Sequence, residues 1–280
     1  MAPPSSLADL LRHHDRDRFL SVLFAPADRR AALIALYVFN HEIAKTREVV
    51  TEPWLGRIRL QWWREAIDEA YRGGTVRAHE VMTPLAVAIR EHALNREHFD
   101  AILDARELDL ADEPPASIAA LEDYCAATAG RLQRLVLDVL GARNDEAEEA
   151  AQEVGIAYGL VGLVRAIPFH ARARRHYIPA EIVAEVGLQL DALFELKTTP
   201  ALAAAVGRMA DRARRHLASA RARRQRLPSA ALPALLPARI AAGYLRDIAA
   251  VLGDPLDPRL AARASRTVLR LAWGAATRRY

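Results

Sequence analysis

The amino-acid sequence predicts an all-α protein, and three observations carry that prediction. Leu, Ala, Ile and Val recur at intervals of three and four residues along nearly the whole chain, with Arg, Glu and Asp between them, which is the pattern of amphipathic helices. No stretch keeps the strict apolar and polar alternation of a half-buried strand. Pro and Gly stand at the breaks between the periodic segments, as at Pro53 and at Gly73-Gly74.

The helix boundaries follow from these breaks. Pro26 and Asp28 suit a helix N-terminus and open a first long helix over about residues 27–50. A second helix begins after Pro53 and ends at the glycine pair. The same reasoning predicts further helices over about residues 83–91, 95–110, 117–140, 145–166, 200–226, 230–252 and 258–277, with short helices after Pro179 and Leu190. Ten or so helices of this kind pack as a bundle.

We expect a single domain over residues 1–280. Hydrophobic residues make up 52% of the chain and charged residues 26%, which is enough to bury a core and unlike a disordered segment. No internal repeat occurs, and no linker is long enough to separate two domains.

Cysteine usage and the N-terminus limit the cellular context. The one cysteine, Cys125, excludes an internal disulfide and argues against a Cys-based zinc site, so a reducing compartment fits. Asp9 lies within the first ten residues, where no apolar stretch of signal-peptide length occurs. No run approaches the roughly 18 apolar residues of a membrane span. We expect a cytoplasmic protein that is either free or peripherally associated with the inner membrane.

The formal net charge is +4, and the basic residues cluster over residues 172–175 and 208–226. Such clusters bind phosphate, anionic lipid or nucleic acid, although a solvated helix face is the simpler explanation. No aromatic interleaving or nucleic-acid-reading module accompanies the charge, so no nucleic-acid partner is expected.

Three stretches together resemble the squalene/phytoene synthase family. They are residues 29–39 with Ala35-Leu36-Tyr37-Val38-Phe39, then Leu60-Gln61-Trp62-Trp63-Arg64-Glu65 followed by Asp109-Leu110 and Tyr124-Cys125, and finally Gly155-Ile156-Ala157 running to Tyr177-Ile178-Pro179. These landmarks keep the family's order and spacing over about residues 17–250. The resemblance implies an isoprenoid synthase-like helical bundle around a central cavity.

In that family two helices each carry an Asp-x-x-x-Asp motif that faces the cavity. This spacing puts both carboxylates on one helical face, where they share Mg²⁺ ions that bridge to a diphosphate and neutralise it as it leaves. Counting from Tyr37 and from Tyr177 places the four motif positions of this chain at Ala44, Glu48, Ala166 and His170. Only Glu48 is an acid. The sequence therefore predicts no metal site and no cofactor.

Cations replace acids around these positions. We expect Lys45 and Arg165 to face each other across one cavity and to converge with Arg47 and Arg172, where they would bind a phosphate-bearing head group without metal. Anionic lipid and prenyl diphosphate are the ligands this implies. The predicted binding residues, none of them catalytic, are Tyr37, His41, Ala44, Lys45, Glu48, Asp109, Tyr124, Arg165, Ala166 and His170.

A narrower similarity concerns Asn40-His41-Glu42-Ile43-Ala44, the run from Ile58 to Trp63, and the run from Leu163 to His170. These segments are similar to the branch of the family that contains the mitochondrial respiratory complex I assembly factor and its bacterial relatives, in which the motifs are likewise degenerate. The resemblance implies a non-catalytic protein that helps to assemble complex I at a membrane, with complex I subunits as partners.

One alternative keeps enzymatic activity. A head-to-head prenyltransferase would need Mg²⁺ ligands relocated to Glu42, Glu48, Asp104 and Asp109, and the missing second motif argues against it. The His13-His14 pair with Asp15 and Asp17 is interpreted as a polar N-terminal cap, because adjacent residues do not easily converge on a metal ion.

Overall fold

A computed structural model describes residues 6–74, 76–111, 113–262, 267–277 and 280, and within these residues it contains helices and no strand. The helices are α1 (Leu7–His14), α2 (Arg16–Val22), α3 (Arg30–Ala44), α4 (Thr46–Val49), α5 (Pro53–Arg72), α6 (Met82–Glu91), α7 (Arg96–Glu107), α8 (Ile118–Cys125), α9 (Arg131–Leu140), α10 (Asp145–Arg165), α11 (Ile167–Arg172), α12 (Ala180–Val186), α13 (Leu190–Phe194), α14 (Pro200–Ala222), α15 (Leu232–Leu235), α16 (Pro237–Ala250), α17 (Arg259–Ala262) and α18 (Thr267–Thr277). The predicted all-α class is confirmed.

Two helices precede the first predicted one. Ser6 caps α1 by accepting a hydrogen bond from the backbone N–H of Asp9, and Asp15 caps α2 in the same way through Arg18. The polar residues 13–17 are therefore a cap, as expected, but they join two helices that the sequence analysis missed. Residues 263–266 of the predicted helix 258–277 lie outside the described part of the chain.

Both helices that carry the motif positions are broken near them. The helix predicted over residues 27–50 ends at Ala44 and resumes as α4, and the one predicted over 145–166 ends at Arg165 and resumes as α11, with Pro168 in its first turn. Side chains beyond each break therefore point in directions that a continuous helix would not give them.

The helix predicted over residues 117–140 contains a π-helical segment, Ala126–Gly130, between α8 and α9. The side-chain amide of Gln152 on α10 donates to the Ala126 carbonyl at 3.2 Å. Gly155 lets α10 approach this segment, because an added Cβ would lie 2.5 Å from the Ala129 carbonyl oxygen. Segments of this kind often occur beside functional sites.

Helix α10 lies at the centre of the bundle and packs against α9, α14, α16 and the π-helical segment. The aromatic part of the core is formed by Phe39, whose ring centroid lies 5.3 Å from Trp63 and 5.5 Å from Phe99. Trp63 is fully buried, whereas Trp62 is half-buried beneath the Arg77 guanidinium, so the two indoles point in different directions as expected. Over the described residues, the helices lack the combination of length and hydropathy that crossing a bilayer requires.

Two of the eight arginines in the basic cluster at residues 208–226 belong to an ionic seam, defined here as the contacts of Arg212, His216 and Arg223 with acids of α8 and α10. Arg212 binds both carboxylate oxygens of Glu122 at 2.6 Å, and His216 lies between Glu122 and Glu153 at 3.0 and 2.8 Å. Arg223 extends the seam to Glu149 at 3.2 Å. These arginines hold helices together.

Candidate functional site

Two adjoining cavities lie at the centre of the bundle. The N-terminal cavity, of about 510 Å³, is lined by residues 13–18 together with side chains of α3, α10 and α16 and the segment 124–129. The motif cavity, of about 430 Å³, is lined by residues of α4, α11 and the 3₁₀ turn Leu108–Leu110. Ala44, Arg106, Tyr124 and Leu163 line both, so the two cavities are neighbours, and together they are called the central space below.

The structure brings most of the predicted motif positions to this space. Ala44 lies between the two cavities, and Glu48 and His170 line the motif cavity. Ala166 occupies the break between α10 and α11 and lines neither cavity. Of the four motif positions only Glu48 carries a carboxylate, although Asp109 lines the same cavity, and burial followed by the nearby Asp109 raises the pKa of Glu48.

Asp109 is buried and fully engaged by protein donors. The hydroxyls of Tyr124 and Tyr177 donate to its Oδ1 at 2.7 and 2.8 Å, and Arg106 Nη1 donates to its Oδ2 at 3.0 Å. Arg106 Nη1 also donates to the Tyr124 hydroxyl at 2.6 Å. Arg175 reaches the Asp109 carbonyl. This network, called the Asp109 network below, joins α7, α8 and the segment after α11, and it leaves little capacity for a metal ion.

Acids at the start of α2 pair with two of the cations that line the N-terminal cavity, Arg18 and Arg165. Arg18 pairs with Asp15 at 2.9 Å, and its guanidinium lies 5.5 Å from the ring centroid of Tyr37. Arg165 lies 3.6 Å from Asp17 and 3.7 Å over the ring of Tyr244. Tyr244 donates to Asp17 at 2.6 Å. Arg165 therefore faces the cavity as predicted, but its charge is already compensated.

Two histidines and an amide complete the wall of this cavity. The His41 ring stacks on His14 at a centroid distance of 4.4 Å, and burial lowers the pKa of His41 to about 4, so the imidazole is neutral near pH 7. Asn40 Oδ1 and His41 Nε2 have no hydrogen-bond partner among the described residues. In the motif cavity, burial likewise lowers the pKa of His170 to about 4. Neither histidine supplies the positive charge that an anion site would need.

The predicted convergence of four cations is wrong. Lys45 lies beside the N-terminal cavity, where its ammonium binds Glu42 Oε1 at 2.5 Å, and Glu42 also holds Arg59 at 2.7 Å. Arg47 lines the motif cavity, whereas Arg172 lines neither cavity and donates to the Pro168 carbonyl. The breaks at Lys45 and Ala166 change the direction of the side chains that follow, which include Arg47 and Arg172. Lys45 itself is bound by Glu42.

The relocated acids do not form a metal site either. Glu42 is held by Lys45 and Arg59, and Asp109 belongs to its network. Asp104 is 68% exposed and pairs with Arg64 at 2.6 Å. Within the described ranges, no three Asp, Glu, His or Cys side chains come together in a geometry that could hold a metal ion.

Sequence reasoning missed Arg18, Arg106 and Tyr244, and it assigned Asp17 only to the N-terminal cap. Asp17 and Tyr244 lie 227 residues apart, so only the folded chain shows that they are partners. Arg106 stands three residues before Asp109, and that spacing on a helix was the available signal.

The helices form a bundle around a central space, and the two helices that carry the motif positions are each broken beside it. This arrangement is an isoprenoid synthase-type fold. The chain belongs to the squalene/phytoene synthase family, whose model, described as "Squalene/phytoene synthase", matches residues 11–270. Its structure resembles a crystal structure of a dehydrosqualene synthase in complex with ligand, with a TM-score of 0.83 and 16% identity over 97% of this chain and 94% of the other. That likeness supports the fold alone.

Two relatives show where the sequence lies within the family. The chain is 32% identical to "NADH dehydrogenase (ubiquinone) complex I, assembly factor 6" of Bos taurus over 90% of this chain and 75% of that protein. It is 27% identical to "Presqualene diphosphate synthase" of Rhodopseudomonas palustris over 72% of this chain and 72% of that protein. The predicted resemblance to the family is confirmed.

Proposed function

We propose that this chain is a non-catalytic member of the family that acts in the assembly of respiratory complex I, with complex I subunits as its partners. The observation that carries the proposal is the set of residues at the motif positions, Ala44, Glu48, Ala166 and His170, in a chain that is 32% identical to a complex I assembly factor. Hard Mg²⁺ ions require oxygen ligands, and this set offers one carboxylate.

The chemistry of the family explains why that loss matters. An allylic diphosphate ionises only if the charge that develops on the leaving group is neutralised, and bound metal ions do this in the synthases. In this chain Arg106, Arg18 and Arg165 line the central space, and each pairs with an internal acid. The motif positions therefore offer one carboxylate for metal, and much of the nearby positive charge is already paired. We propose that it works without a metal cofactor.

An active head-to-head prenyltransferase is the alternative. It is supported by the similarity to the presqualene diphosphate synthase, which is lower than the similarity to the assembly factor. Its proposed metal ligands do not come together in the structure; they are Glu42, Glu48, Asp104 and Asp109. Binding of an anionic head group in the central space is also less favoured than the sequence implied, because Glu42, Asp15 and Asp17 compensate the cations there.

Deletion of the gene in its own organism tests the proposal. We expect less fully assembled complex I on native gels and lower NADH dehydrogenase activity, since an assembly step is missing. The wild-type gene should restore both, and so should a gene carrying Glu48→Gln with His170→Gln, because the proposal assigns these two side chains no chemistry. Intact complex I together with loss of a squalene-type lipid would favour the prenyltransferase instead.

A further inference from the structure

A groove between α14 and α16 is lined by four arginines, Arg214, Arg221, Arg239 and Arg246, and has a volume of about 540 Å³. Its other lining residues are Leu217, Ala242, Leu245 and Ala249. No Asp or Glu is among the described residues that line it. The groove thus combines an apolar floor with a basic rim.

A second cavity, of about 640 Å³, continues the groove past Arg221. It is lined by Arg221 and Arg224 on the basic side and by Leu227, Leu232 and Leu235 on the apolar side, again with no Asp or Glu among the described lining residues. Arg221 Nε donates to the main-chain oxygen of Tyr280 at 3.1 Å. Arg221 therefore stands where the two cavities meet.

This composition differs from that of the other faces of the bundle. Both central cavities contain carboxylates, and Arg212 and Arg223 of the ionic seam bind Glu122 and Glu149. In the groove, Arg214 pairs with Asp211 of its own helix at 2.5 Å, whereas Arg246 Nε donates to the carbonyl of Ala242 at 3.3 Å. Burial lowers the pKa of Arg221, Tyr280 opposes this effect, and the like charge of Arg246 adds a smaller lowering. An added anion would relieve this repulsion.

The groove is separate from the family's central space. Residues 242, 246 and 249 of α16 lie on one side of that helix, and Tyr244, which lines the N-terminal cavity, lies on the other. A ligand in the groove would therefore contact the outer surface of the bundle and leave the motif positions untouched.

We propose that this groove binds an anionic phospholipid, with the phosphate on Arg221 and Arg246 and the apolar part against Leu217 and Leu245. Arginine binds phosphate through paired N–H donors, which suits the rim. The leucine and alanine floor gains free energy only if the ligand also has an apolar body, which a free phosphate lacks. The proposal does not depend on the role in complex I assembly.

Co-sedimentation with vesicles tests the site. We expect wild-type protein to bind vesicles of equal parts phosphatidylcholine and phosphatidylglycerol, to bind pure phosphatidylcholine vesicles far less, and to be released by salt. Arg221→Gln with Arg246→Gln should lower the partition coefficient about 30-fold, the usual effect of two basic residues at an anionic bilayer. The matched control, Arg208→Gln with Arg226→Gln, removes two exposed arginines that pair with Glu185 and Glu146 and should change it less than about 2-fold.

Arg246→Glu alone is a second variant, because this exposed side chain donates its hydrogen bond to its own helix, so that its replacement should leave the fold intact. It should lower binding further than Arg246→Gln does. Equal losses in the two double variants, or no binding of wild-type protein to the anionic vesicles, would overturn the proposal. Binding of glycerol phosphate as tight as binding of the vesicles would overturn the lipid assignment.

Discussion

Asp109→Ala is expected to lower the free energy of unfolding by about 3–5 kcal/mol, because it leaves the Arg106 guanidinium buried without its carboxylate. The same change removes the acceptor of the Tyr124 and Tyr177 hydroxyls. Urea unfolding followed by circular dichroism measures the loss.

The matched control for this prediction is Asp104→Ala. Asp104 also pairs with an arginine, Arg64, but it is 68% exposed, so its removal should cost less than about 1 kcal/mol. Residues kept for ligand binding often reduce stability. Unchanged or higher stability of Asp109→Ala would therefore indicate that this carboxylate serves a ligand rather than the fold.

Gly155→Ala is expected to destabilise the chain by about 3 kcal/mol through overpacking. The new methyl group would lie 2.5 Å from the Ala129 carbonyl oxygen and from Gly130 Cα, both main-chain atoms of the π-helical segment. Main chain cannot rotate away as a side chain can, so α10 or the segment has to shift. Thermal unfolding measures the change.

Gly162→Ala, on the same helix, is the control for that prediction. No atom lies within 4 Å of the position its Cβ would take, so the higher helix propensity of Ala should raise stability by up to about 1 kcal/mol. If the two glycine variants had the same stability, the close approach of α10 to the π-helical segment would be wrong.

The sequence predicts the helices well and the internal partners poorly. Helical periodicity and the breaks at Pro53, Gly73 and Pro179 depend on neighbouring residues, so the boundaries of α5 and α12 could be read from them. The π-helical segment could not, because it depends on Gln152 and Gly155 of another helix. The same reason explains why α3 was predicted as one long helix with α4.

The sequence likewise predicts some features of the candidate site and not others. The loss of acids at positions 44, 166 and 170 follows from counting along the chain, and the structure brings Ala44 and His170 to the central space. The pairing of Asp17 with Arg165 does not follow from counting, because these residues meet only in the folded chain. The pairing of Glu42 with Lys45, three residues apart on one helix, could have been read from the sequence. Sequence alone therefore overestimated the uncompensated positive charge around Lys45 and Arg165. The acid-free groove of α14 and α16 needed the structure, because the sequence shows α14 as one basic cluster.

Incubation of the purified protein with farnesyl diphosphate and Mg²⁺ tests most directly whether this chain has lost the chemistry of its family, as we propose. We predict no diphosphate release and no squalene, phytoene or presqualene-type product above the rate without enzyme, with geranylgeranyl diphosphate giving the same result. An active squalene synthase assayed in parallel shows that turnover would be detected. Metal-dependent formation of a condensed product by the wild-type chain, abolished by a chelator, would contradict the account.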